Sequence, residues 1–161
     1  MIPDDAIVLL CRLALVLLFL PFSALDKVLN FGAATAQAGQ ATASVPLARG
    51  MIALGLAVEV FCSLALLTGI ADRLGALVLA GYCAVTAILF KRFWREPDFR
   101  LRGPSRGREV FWDFLKNVAL AGALASVALG PGTGGVRGLW AEPFSSTHPY
   151  AGAPAPGGAL R

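Results

Sequence analysis

Apolar residues along this chain gather into four long windows, parted by shorter polar or charged segments. The windows run over about residues 5–26, 47–69, 74–92 and 111–130, each close to the ~20 residues that carry an α-helix across ~30 Å of hydrocarbon. Continuous Leu, Val and Ala runs stand where a membrane β-barrel would alternate, so each window predicts a helix that satisfies its own backbone hydrogen bonds. Four such spans with short connections predict an all-α fold: an integral membrane, antiparallel four-helix bundle.

Composition points the same way. With 57% hydrophobic and 15% charged residues among 161, and a mean hydropathy of +0.68, the chain is too apolar for an ordinary soluble domain. One domain is expected over residues 1–130. From 131 to 161 the chain turns to P-G-T-G-G and then A-G-A-P-A-P-G-G-A, which predicts a flexible Gly/Pro/Ala-rich external tail. Between the first two windows lies F-G-A-A-T-A-Q-A-G-Q-A-T-A-S-V-P, a short interfacial helix or a plain loop. A cleaved signal peptide fits the first window poorly, because Asp4 and Asp5 make its leader acidic and Arg12 interrupts its apolar run. The first helix is therefore expected in the mature protein.

Basic residues outside the windows are unevenly shared. The first and third loops hold Lys27, Arg49, Lys91, Arg92, Arg95, Arg100, Arg102, Arg106 and Arg108, whereas the termini and second loop hold Arg73, Arg137 and Arg161. Retention of positive charge in the cytoplasm predicts both termini outside and the third loop cytoplasmic. A net charge of +4 concentrated on one face favours anionic lipid headgroups. The basic loop abuts a span and has no nucleic-acid-binding motif, so nucleic acid is not an expected partner.

The polar residues inside the windows carry the candidate chemistry. At 100° per residue, Phe19, Ser23, Asp26 and Lys27 all fall within about 60° of Arg12, one stripe that lipid would reject. Pro21 frees the carbonyl of Leu17 and is expected to bend the helix near Ser23. In the second window Gly55, Glu59 and Ser63 share a face, and a mid-membrane carboxylate costs several kcal/mol unless paired or protonated. Depth makes Arg12 the expected partner of Glu59, at roughly 9 and 15 Å from the same edge, with Lys116 second. Asp113 is spaced to meet Lys116 and Asn117 and lies at the depth of Lys27. These residues predict one polar column through the bundle. It is either a set of structural ion pairs or a site for a polar headgroup such as quinone, or a proton path.

Other features are read as structure. Cys11, Cys62 and Cys83 form no C-x-x-C and are expected as buried small hydrophobes. His148 is the single histidine and lies in the tail, which excludes a bis-histidine haem within the chain, and no ligand cluster predicts a metal. Trp94, Trp112, Tyr82 and Phe93 suit interfacial belts and core contacts. Gly122, Ser126 and Gly130 suit a helix contact.

With these residues in view, the sequence resembles the DoxX family of small four-helix bacterial membrane proteins. The resemblance rests on R-L-A-L-V-L-L-F-L-P-F-S-A-L-D-K, a glutamate followed later by L-L-T-G-I-A-D-R-L-G-A-L, and F-L-K-N-V-A-L-A-G-A-L, in that order from Arg12 to about Gly130. It implies Arg12, Ser23, Lys27, Glu59, Lys116 and Asn117 as the site residues. The usual S-G-x-x-K stands here as S-A-L-D-K, and the F-H common at the end of the third helix is F-K. The resemblance also implies a bacterial inner-membrane partner of an oxidoreductase system.

The leading expectation is a non-haem subunit that binds quinone or relays protons and electrons between a partner enzyme and the quinone pool. Glu59 would be the proton-exchanging or hydrogen-bonding group, Arg12 its charge partner, and Lys27, Lys116 and Asn117 the donors to a carbonyl or anion near the cytoplasmic side. The alternative is a membrane anchor or assembly scaffold whose basic third loop docks a soluble redox or metal-handling enzyme. Membrane lipid, a partner oxidoreductase subunit and an oligomer are the expected associations.

Overall fold

A computed structural model describes residues 3–150 of the chain. Helices α1 (Asp4–Val16) and α2 (Ala24–Leu29) form the first span, joined by a π-helical segment at Leu18–Ser23. Next come α3 (Phe31–Ala38), α4 (Val45–Thr68), α5 (Asp72–Phe90), a 3-10 turn at Phe93–Arg95, α6 (Arg106–Leu129) and α7 (Gly135–Ala141). Four segments are long and apolar enough to cross a membrane: Asp4–Leu29, Val45–Thr68, Asp72–Arg95 and Arg106–Leu129. The all-helical, four-span reading therefore holds, and the linker between the first two spans takes its helical form as α3.

Proline explains why the first span is not one rod. Its ring removes a backbone donor and disfavours helical geometry in the preceding residue. Leu20, just before Pro21, is accordingly extended at φ −122°, ψ 115°. The break resets the helical phase. Arg12 and Phe19 are buried, Ser23 and Lys27 are half-buried, and Asp26 is exposed, so the expected stripe loses Asp26, which accepts instead from Asn30 Nδ2 at 2.7 Å.

At the other side of the bundle, α5 lies between α4 and α6, while the first span packs on α4. Gly75 permits the close approach of α5 to α4, because a Cβ there would stand 3.0 Å from Ala65 Cβ and 3.1 Å from the Cys62 carbonyl oxygen. Leu66, Leu79, Leu124, Val16 and Phe19 fill the interior. Leu10, Leu18, Phe22, Leu54, Phe61 and Ile88 point outward, the apolar belt that lipid would solvate. Gly69, at φ +75°, ends α4 in the left-handed region that glycine adopts without penalty. That sharp turn sets Asp72 and Arg73 at the start of α5.

The first part of the expected tail contains a helix and hydrogen bonds to the bundle. Residues 131–150 contain α7 and then fold back as a strap over the α4–α5 turn. Thr147 N donates to Asp72 Oδ1 at 2.9 Å, and Tyr150 Oη donates to the Leu67 carbonyl. Composition could not reveal this order, since it depends on two hydroxyl side chains meeting polar groups of a distant turn. The part of the expected tail from 151 to 161 lies outside the described residues.

Candidate functional site

Glu59 sits on the buried face of α4 that also carries Gly55 and Ser63. Its Oε1 accepts from Ser23 Oγ at 2.9 Å, Lys27 Nζ at 2.7 Å and Tyr82 Oη at 2.9 Å. Three elements converge here because α2 restarts after the Pro21 break and points Lys27 inward, while α5 supplies Tyr82. Gly55 makes room for that tyrosine: a Cβ at 55 would stand 3.3 Å from Tyr82 Oη. Phe19 holds the same ring edge-on, with centroids 6.4 Å apart.

Glu59 is 1% exposed, so as a lone carboxylate it would cost several kcal/mol. Hydrogen bonds to a charged group contribute about 1.5–3 kcal/mol each, so these three donors, the charged Lys27 among them, offset that penalty. The other oxygen is different. Among the described residues Glu59 Oε2 is buried with no hydrogen-bond partner, as is Ser63 Oγ one turn further along α4.

Arg12 belongs to a second cluster. Its Nη2 lies 2.7 Å from Asp72 Oδ2 and donates to Thr147 Oγ1 at 2.6 Å, while Nη1 donates to the Leu66 carbonyl at 2.6 Å. Arg73, equally buried, donates from Nε to the Ala128 carbonyl, from Nη1 to Ser145 Oγ and from Nη2 to the Gly135 carbonyl. A third cluster lies toward the third loop, where Asp113 accepts from Lys91 at 3.1 Å and from Lys116 at 3.3 Å.

The expected single column is thus three separate groups, and two pairings change. Arg12 is the partner of Asp72, not of Glu59, and Lys27 is the partner of Glu59, not of Asp113. Depth matches the wrong pairs because Asp72 falls between the second and third apolar windows and because the Pro21 break redirects Lys27. Lys116 does meet Asp113, but its side chain is 75% exposed. Asn117 reaches the Asp113 backbone carbonyl at 2.9 Å instead of the carboxylate. Neither Lys116 nor Asn117 hydrogen-bonds the Glu59 cluster among the described residues.

Sequence reading also missed Tyr82, assigned to belts and core, and Asp72. An acid beside an arginine at the start of a span was the available signal for Asp72. Cys83 is buried as expected, whereas Cys11 is exposed. A Cβ at Gly122 would meet nothing within 4 Å and Ser126 is exposed, so among the described residues these two positions of α6 face no neighbouring helix.

Lys27 and Tyr82, with Gln37 and Thr86, are the polar lining of a groove of about 420 Å³ between α3, α4 and α5. Its walls are apolar, with Met51, Leu54, Val58, Val85 and Phe90 among them. No group of three or more His, Cys, Asp or Glu side chains gathers among the described residues.

The third loop is folded rather than loose. Phe93 packs edge-on against Trp94, Phe111 and Phe114 and tilted against Phe99, at centroid distances of 5.0–5.4 Å. Asp98 accepts from Gly107 N at 3.0 Å and Arg106 N at 2.8 Å, capping α6. Those backbone hydrogen bonds, Gly107 first, hold the Asp98 carboxyl below its ordinary value of 3.8.

Comparison with known proteins agrees with this architecture. No curated protein and no solved structure matches the chain. At the family level, residues 7–92 match DoxX, a stretch that holds Arg12, Ser23, Lys27, Glu59, Asp72 and Tyr82 and covers more than half of the chain. The protein is a multi-pass membrane protein of the DoxX family.

Proposed function

We propose that this chain is a membrane subunit of an oxidoreductase system and that the groove beside Glu59 receives the head of a quinone. The observation that carries the reading is the Glu59 carboxylate: buried, saturated on Oε1 and vacant on Oε2. Lys27 uses one N–H on Glu59 and one on Ser23. An ammonium has three donors, so one remains for a ligand carbonyl in the groove. Tyr82 Oη donates to Glu59 and keeps lone-pair capacity for a ligand hydroxyl. Through Oε1 the Glu59 carboxylate is linked to Lys27 and Tyr82, the two of its partners that line the groove. The apolar walls suit an isoprenoid tail, and a bound quinone would supply the electron-accepting group that the side chains lack.

In this reading the chain lies in a bacterial inner membrane with both termini outside, and a partner oxidoreductase meets the cytoplasmic third loop. Arg12, Lys116 and Asn117 serve the bundle instead of the ligand. A second reading, an assembly scaffold for a soluble redox or metal-handling enzyme, draws support from the aromatic-pinned basic loop.

Glu59→Gln separates the two. Extracted in mild detergent, the wild type is expected to retain quinone measurable by mass spectrometry, and a folded Glu59→Gln variant to retain at least about tenfold less, because Lys27 and Tyr82 lose the carboxylate that holds them at the groove. Equal quinone in both would favour the scaffold.

A further inference from the structure

A second cavity, remote from Glu59 in its lining residues, lies at the end of the bundle where α1 begins and α6 ends. It measures about 630 Å³ and is roofed by the 130–148 strap. Arg12 and Arg73 line its interior. Ile7 and Leu15 of α1 and Val127 of α6 form an apolar side, and Ile7 continues into the lipid-facing belt at 48% exposure.

The charges in this cavity do not balance. Arg12 is neutralised by Asp72. Arg73 is 4% exposed, yet its three hydrogen bonds all go to neutral acceptors: two carbonyls and the Ser145 hydroxyl. Glu142 also lines the cavity, but it is exposed and forms no ion pair among the described residues, so water screens it. Guanidinium cannot shed its proton, and it carries five N–H donors, of which these bonds use three. A buried, permanent cation with spare donors and no carboxylate is stabilised by an anion brought from outside.

We propose that this cavity binds the phosphodiester of a membrane phospholipid, with the phosphate oxygens on Arg73 and the acyl chains passing out along α1 and α6. Planar guanidinium and a phosphate diester match in geometry as well as charge. Apolar side walls that join the lipid belt distinguish this pocket from one built for a free ion. The site is independent of the Glu59 groove and of the basic third loop.

The test uses the full chain in maltoside micelles, titrated with phosphatidylglycerol, with diacylglycerol of the same chains, or with inorganic phosphate. Thermal unfolding followed by tryptophan fluorescence is expected to rise saturably with phosphatidylglycerol, on the order of 5–10 °C at a hundredfold excess over Kd. Diacylglycerol and phosphate are expected to leave it unmoved. Arg73→Gln should abolish the response. Because Arg73 also anchors the strap, Ser126→Trp provides a second variant, blocking the mouth from exposed α6 while keeping both guanidiniums, and it should abolish the response too. An equal shift with diacylglycerol overturns the phosphate contact, and an equal shift with inorganic phosphate assigns the cavity to a free ion and overturns the lipid. A wild-type response in Ser126→Trp overturns the location.

Discussion

Replacing Asp72 by Asn tests whether the Arg12 cluster closes the bundle. Asp72 is wholly buried and accepts from Arg12, from Thr147 N and from the Thr147 hydroxyl. The amide keeps the shape but loses the charge and brings donors toward groups that already donate. Arg12, 6% exposed, would then be a buried cation without a counter-ion. Removing one partner of such a pair costs about 3–5 kcal/mol. At ~2–4 °C per kcal/mol for a chain of this size, the unfolding midpoint should fall by roughly 6–20 °C. The assay is thermal unfolding in detergent, with Glu142→Gln as an exposed control that should stay within about 0.5 kcal/mol. Arg12→Met combined with Asp72→Leu should recover most of the loss, because an apolar pair of similar volume often replaces a buried ion pair at little cost. An Asp72→Asn protein within about 1 kcal/mol of wild type would refute the claim that this pair bears the charge balance at that end.

Two predictions concern the third loop. Asp98 has its carboxyl pKa lowered by the α6 amides, so its contribution is present above the ordinary value of 3.8 and is lost as pH falls through the lower folded value. Hydrogen exchange at Arg106 and Gly107 should accelerate across that acid window in the wild type, whereas Asp98→Asn should exchange with no such acid step. Gly107→Ala should loosen the loop, since its Cβ would stand 2.7 Å from Phe99 Cα and 2.9 Å from Phe99 N. Backbone cannot swing aside, so an overpacking cost of about 1–3 kcal/mol is expected in thermal unfolding.

Much of this protein is legible in one dimension. Hydrocarbon demands about 20 apolar residues per helix, and that rule alone locates the four spans in the sequence. Lipid also rejects isolated charge, so Arg12 and Glu59 announced themselves as interior groups, as did the shared face of Gly55, Glu59 and Ser63. Each of these follows from a single helix and its solvent. Pairing does not. Which cation reaches Glu59 depends on the phase reset at Leu20 and Pro21, which brings Lys27 inward and leaves Asp26 outside. Asp72 and Thr147 meet Arg12 only because Gly69 turns the chain and the strap returns over that turn. Charge interactions inside a bundle act over a few ångströms between segments distant in sequence. Helical periodicity measures direction around one axis and carries no information about the neighbour, so tertiary structure alone decided the partners.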